Sequence, residues 1–290
     1  MRGKRVFAVI MILLTFCVCM SMDGYAASIT IDGSITDWGI NLSSAENSGY
    51  LDSHVPGKAF VDYITEDNTD INDGWFKVDP GWSYNNDYDV EAIYFDNDAE
   101  YGYIAIITGV APHSTWKPGD IGLDVSPSEV DLVDQDSSAT GASQTTTPYE
   151  YGIELIDSEG NDGVPDQGAL RSVKNWYNVR YDDPNYCDFT NSDPWAINKS
   201  ASTIDNDLEL AYSSSAIEGH YVIESRFLLS DLGLSPGDEF NIHWTMQCGN
   251  DFLTLKAKVD PVPEPGTILL VGTGLLGLVM SSGRRRWNRG

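Results

Sequence analysis

The chain predicts an all-β protein, a single antiparallel β-sandwich of jelly-roll type set between two terminal targeting segments. Three observations carry this expectation. Short runs rich in Tyr, Trp, Thr, Ile and Val alternate apolar with polar residues through the middle of the 290-residue chain, the period of a half-buried strand. Clusters of Asp, Asn, Gly and Pro separate the runs, as turn chemistry requires. No stretch of that middle region sustains the helical period.

Taken in order, the strands fall at 59–64, 90–95, 101–107, 121–125 and 149–156, then at 173–181, 208–212, 221–228, 239–247 and 252–259. That number of short strands, with turns between them and no composition break, argues for one all-β domain over residues 27–261. Asp96-Asn97-Asp98 lies between two strong strands and reads as a hairpin turn. Leu229-Ser230-Asp231-Leu232 suggests one turn of helix, and Pro236-Gly237 turns the chain back. Residues 126–148 are poor in apolar side chains and rich in Ser, Thr and Asp, the composition of a flexible loop.

The amino terminus reads as a secretory signal helix over residues 1–26. Arg2, Lys4 and Arg5 form a positive start, 6–20 are apolar, and Gly24-Tyr25-Ala26 places small residues for cleavage between Ala26 and Ala27. Cys17 and Cys19 lack the small preceding residues of a lipidated cysteine. At the other end, Pro263-Glu264-Pro265 is followed by an apolar stretch and then by Arg284, Arg285, Arg286 and Arg289, the order of a stop-transfer signal. Residues 267–282 would span about 24 Å as helix, short against a hydrocarbon core of about 30 Å. A marginal span suits a segment that is held briefly and then removed.

The tail over 262–290 resembles the PEP-CTERM sorting signal of bacteria that export proteins together with extracellular polysaccharide. That resemblance implies a membrane protease-transpeptidase, an exosortase, as processing partner. It also implies membrane association through the C-terminal transmembrane sorting helix before cleavage, and a destination at the cell surface or in the extracellular matrix with exopolysaccharide as companion.

Charge narrows the cargo. The chain holds 17 basic and 44 acidic residues; without the three basic residues and one acid of 1–26 and the four arginines of 266–290, 10 and 43 remain, a net of −33. So acidic a surface repels nucleic acid and attracts divalent cations. Asp87, Asp89, Asp96 and Asp98 give hard oxygen donors in or beside loops, so calcium is the cofactor to expect if the acidity serves more than solubility. Cys187 and Cys248 are a disulfide candidate that would stabilise by roughly 4 kcal/mol. Neither has the spacing of a zinc site.

Ile29-Thr30-Ile31-Asp32-Gly33-Ser34-Ile35-Thr36-Asp37-Trp38, with the strand pair around Tyr88 to Asp96 and Tyr103 to Ile106, is similar to the opening of DOMON-like domains and family 9 carbohydrate-binding modules. Such domains bind sugars or haem, and some hold structural calcium. Haem is not expected, because His54, His113, His220, His243 and Met246 show no recognisable pairing. Trp82, Tyr84, Tyr88 and Trp116, interleaved with Asp and Asn, are the glycan-binding candidates, since flat rings stack on pyranose faces. The connection from Phe227 to Asp238 and the strand ending Cys248-Gly249-Asn250-Asp251 resemble the closing half of exported domains that precede PEP-CTERM tails. No serine-hydrolase elbow, zinc-protease motif or phosphate loop occurs. The expected function is therefore a non-catalytic exported surface or matrix protein. The alternatives are a carbohydrate-binding module, calcium-dependent or not, and a cryptic glycan-active enzyme.

Overall fold

The computed structural model describes residues 29–42, 54–65, 89–127, 149–158, 160, 163–177, 194–214, 219–249 and 251–262. They contain strands β1 (Asp62–Thr65), β2 (Val90–Asn97), β3 (Tyr101–Thr108), β4 (Ile121–Asp124), β5 (Tyr151–Ile156) and β6 (Gln167–Ser172). Strands β7 (Trp176–Tyr177), β8 (Ala196–Ile197), β9 (Ser202–Tyr212), β10 (Tyr221–Leu228), β11 (Glu239–Thr245) and β12 (Phe252–Lys258) follow. Two single 3₁₀ turns, Ile35–Trp38 and Leu229–Leu232, accompany them. The described residues contain no α-helix, and no helix among them is long and apolar enough to cross a membrane. Of the two terminal targeting segments read from the sequence, all but Val262 lies outside the described residues.

All sheet pairings are antiparallel, and ten strands join in the order β1-β2-β3-β10-β9-β6-β5-β4-β11-β12, with β7 and β8 as a separate pair. Twist accumulates across so many strands, and wide open sheets curl. Here the curl brings the two ends of the order together. The Lys258 amide donates to Asp62 Oδ2 at 2.6 Å. At the end of β2, Asn97 Nδ2 donates to the Asp260 carbonyl at 3.0 Å and Asn97 Oδ1 accepts the Asp260 amide at 2.8 Å. Side chains thus make the seam of a nearly closed barrel. One continuous order stands where the sequence suggested two stacked sheets, because β9 serves both halves: Leu210 to Tyr212 pair with β10, and Ser202 to Glu209 pair with β6 across two register shifts.

The strands at 101–107 and 221–228 appear as β3 and β10, paired over eight positions from Tyr221↔Thr108 to Leu228↔Tyr101. The turn over Asp96 to Asp98 is the β2–β3 hairpin, and the helical turn over Leu229–Leu232 is 3₁₀. Three strands differ from expectation. Strand β9 begins at Ser202, six residues before the start read from the sequence, and neither β6 nor the two-residue β8 was read at all. Gly168, Ala169 and Ser172 carry little strand propensity, and β6 is held by pairing with both β5 and β9 instead. Of the run at 173–181, the described part contains only β7.

Ser28–Pro261 forms one compact unit. Its interior is lined by β2, β3, β4, β5, β6, β9, β10, β11 and β12. Phe240 meets Phe95 edge-on at 4.9 Å and Phe227 at 6.4 Å in that interior. A second apolar layer lies on the outer face of β2, β3 and β10: Ile29, Ile35, Trp38, Ile40 and Leu42 cover Ala92, Tyr94, Ala105, Ile107 and Val222. Strand β2 is therefore buried at every position, whereas β12 alternates buried and open sites. The N-terminal segment is a cover, and polar groups trapped beneath it are the chemically distinctive part of the fold.

Candidate functional site

Glu224 of β10 points outward under that cover and is fully buried. Its Oε2 accepts the backbone amides of Asp32 at 3.2 Å, Gly33 at 2.7 Å and Ser34 at 3.1 Å. Its Oε1 accepts the indole N–H of Trp38 at 2.8 Å. The Asp-Gly turn and the tryptophan one 3₁₀ turn later therefore wrap a single carboxylate, which explains both ends of the 29–38 motif at once. Gly33 has φ +76°, a conformation that presents its amide to Glu224 and that side chains resist. Gly39, at φ +79°, lies so close to Gly57 that an added Cβ would sit 2.8 Å from the Gly57 nitrogen. Burial pushes the Glu224 pKa up to about 7, against the pull of the Trp38, Asp32 and Gly33 donors.

A second polar group lies under the same cover. The β2–β3 register shifts between Val90 and Ala92, leaving Glu91 as the extra residue of a bulge, a device that re-aims a side chain. Glu91 Oε1 lies 3.1 Å from His220 Nε2, at the entry to β10. Residues 54–61 extend the cover, the Gly57 amide donating to the Gly39 carbonyl at 3.2 Å and Val61 packing on the same apolar layer. From there His54 joins them, its ring 5.8 Å from that of His220 in an edge-on arrangement. The His54 carbonyl is anchored by the Tyr94 hydroxyl at 2.8 Å. One ligand-type atom from each of His54, Glu91 and His220 lies within 4.8 Å of the others, and all three residues are buried. Two imidazoles and a carboxylate in such a cluster are a donor set for a metal. Sequence reasoning missed this convergence, as no motif spacing links residues 54, 91 and 220.

The calcium candidates are arranged differently. Asp89 is buried at the start of β2, its carbonyl accepting the Thr108 hydroxyl and the Gly109 amide. Asp96 Oδ2 pairs with Lys58 Nζ at 2.7 Å, and its Oδ1 accepts the Asn97 amide. Asp98 Oδ1 accepts the Glu100 and Tyr101 amides and Oδ2 the Tyr103 hydroxyl at 2.6 Å, which closes the hairpin. Burial raises the Asp98 pKa, but the Tyr103, Tyr101 and Glu100 donors outweigh it and hold the carboxyl below its ordinary value. Among the described residues the aspartates do not gather into a metal-binding group. Asp87 lies outside them.

Lys58 Nζ ties the cover to Asp96 at a place where burial raises that carboxyl's pKa. Lys58→Ala is expected to cost about 2 kcal/mol in urea unfolding, since it leaves Asp96 without its charged partner. An unchanged midpoint would show that water replaces the ammonium there.

Trp116 is half-buried and packs on the interior core. Trp82, Tyr84 and Tyr88 lie outside the described residues, as do Ala26, Ala27, Pro263, Glu264, Pro265, Arg284, Arg285 and Arg286. Cys248 is buried next to β11; Cys187 lies outside the described residues. His243 is packed in β11, 3.0 Å from the Thr254 hydroxyl and stacked on Tyr149. Asp120 holds two elements together, its Oδ1 accepting the Leu155 amide at 2.9 Å and Oδ2 the Ile197 amide at 2.7 Å. Desolvation pushes its pKa up to about 7 despite those two donors.

Residues 261–286 match the PEP-CTERM protein-sorting motif. No curated protein and no solved structure matches the chain. The motif supports an exported, cell-surface-directed protein processed by an exosortase.

Proposed function

We propose that this chain is an exosortase-sorted component of the cell surface or extracellular matrix that works without catalysis, in association with exopolysaccharide. The observation that carries the reading is the sorting motif at 261–286, directly after the compact unit that ends at Pro261. A barrel interior filled by Phe95, Phe227, Phe240 and Trp244 is consistent with a part that presents its outer surface rather than an internal cleft. The strong net negative charge suits a hydrated, cation-rich polymer matrix.

Intact mass of the mature protein recovered from exporting cells tests the sorting. The expected species begins at Ala27 and lacks the arginines from Arg284 to Arg289; retention of that cluster would overturn exosortase processing. Fractionation of the same cells tests the destination. Co-purification with the polysaccharide fraction is expected, and recovery free of polysaccharide in the medium would remove the matrix association.

A further inference from the structure

Beyond sorting and surface display, we propose that His54, Glu91 and His220 bind one divalent d-block cation of the zinc class, which fastens the 54–61 part of the cover to β2 and β10. Ligand atoms around a tetrahedral zinc, bonded at about 2.0–2.1 Å, stand about 3.3 Å apart. Glu91 Oε1 and His220 Nε2 are already 3.1 Å apart. With all three ligand atoms within 4.8 Å of one another, His54 closes on the ion by a movement of at most about 1.5 Å. The donor set selects the metal: two imidazole nitrogens and one carboxylate suit zinc and its first-row neighbours, while calcium takes six to eight oxygens.

A plain glutamate–histidine pair explains less of the arrangement. It accounts for Glu91 Oε1 and one imidazole, but not for the arrival of a second imidazole from a different segment. It also leaves Glu91 Oε2 buried with no hydrogen-bond partner among the described residues, a costly state for a carboxylate oxygen in a dry site. A cation beside the carboxylate compensates that charge. The bulge fits the same purpose, because Glu91 is the residue it inserts into a strand that is otherwise apolar at Val90, Ala92 and Ile93. All three donors are buried, so the ion's role is to hold the cover, with water in its fourth position, rather than to expose an open site to substrate.

Untagged mature protein, stripped with a chelator and dialysed, would be titrated with Zn²⁺ by calorimetry, with Co²⁺ by visible absorption, and with Ca²⁺ as the contrast. One zinc per chain, the intense visible bands of four-coordinate cobalt, a higher thermal midpoint with zinc and no competition from calcium are expected. Glu91→Gln keeps the side-chain shape and should weaken zinc by about tenfold or more, while His220→Ala should abolish the cobalt bands. His113→Ala, at an exposed turn, should bind as the native protein does. The assignment is overturned if stripped native protein takes up no zinc, or if Glu91→Gln binds it with native affinity. Because Glu91→Gln is nearly isosteric, it decides the matter even where His220→Ala fails to fold.

Discussion

Glu224→Ala is expected to detach the N-terminal cover and to lower stability on the order of 5 kcal/mol, enough to unfold a domain of ordinary stability at body temperature. The carboxylate accepts three consecutive amides and one indole N–H, all from residues 32 to 38. An alanine takes the acceptor from the Asp32 and Gly33 amides and from the buried Trp38 indole, while the Ser34 amide keeps Asp32 Oδ1 at 2.9 Å, and each orphaned donor costs roughly 1–3 kcal/mol. Partial entry of water would recover some of this, which is why the total is set below the sum. Glu224→Gln retains one acceptor oxygen and should lose about 1–2 kcal/mol. Trp38, fully buried beneath the same cover, reports the change directly. In the alanine variant its fluorescence should shift to that of an exposed indole before the barrel melts in urea. A single transition at the native midpoint would mean that the cover is held by its apolar residues alone, and the anchoring role of Glu224 would fall.

How much of this arrangement was legible beforehand depends on how local its causes are. Strands β3 and β10 announce themselves because Tyr103 to Ile107 and Val222 to Phe227 are dominated by β-branched and aromatic residues, and local propensity agrees with burial there. The hairpin at Asp98 is equally local, since one carboxylate caps the turn it sits in. Strand β6 is the opposite case: Gly168 and Ala169 are strand residues because neighbours on both sides need a partner, a cause that lies elsewhere in the chain. The Asp32-Gly33 and Asp37-Trp38 pairs were visible as a motif, and the Gly33 turn was explicable from its backbone. What they surround was not, because Glu224 is some 190 residues away and its strand offers no local sign that one acid is buried. The same holds for His54, Glu91 and His220. Their meeting depends on a bulge and on a cover segment returning over the sheet, and neither leaves a spacing that a sequence can display. Closure into one barrel, rather than two stacked sheets, rests on Asn97, Asp62 and Asp260 at the seam; Asn97 reads as a hairpin residue and Asp62 as part of the strand at 59–64, and nothing local marks either as a seam contact.

Stability should fall as pH rises from about 4 to about 7, the reverse of the behaviour that salt-bridged carboxylates give. Glu224 and Asp120 both have pKa values raised to about 7 in the folded protein, from 4.5 and 3.8. Desolvation is the leading cause for each: the folded environment disfavours the charge more than the surrounding N–H donors favour it. A carboxyl that holds its proton more tightly when folded contributes stability that is complete below its unfolded pKa, because the folded state then binds the extra proton as pH begins to climb. That contribution is lost as pH passes through the folded value, so the window runs from 4.5 to about 7 for Glu224 and from 3.8 to about 7 for Asp120. At about 1.4 kcal/mol per unit, each group can account for at most on the order of 3–5 kcal/mol, the larger share falling to Asp120 with its wider window. Repulsion among the acidic residues acts in the same direction, but it is screened by salt, whereas the desolvation of Glu224 and of the half-buried Asp120 is screened much less. Thermal midpoints at about pH 5 and about pH 7.5, in low and in high salt, separate the two contributions. A decline that persists in high salt and is roughly halved in Glu224→Gln is the expected pattern. A midpoint that climbs between those pH values in high salt would mean that the N–H donors around Glu224 and Asp120 outweigh burial, and that both carboxylates sit in the barrel wall as comfortably ionised anchors.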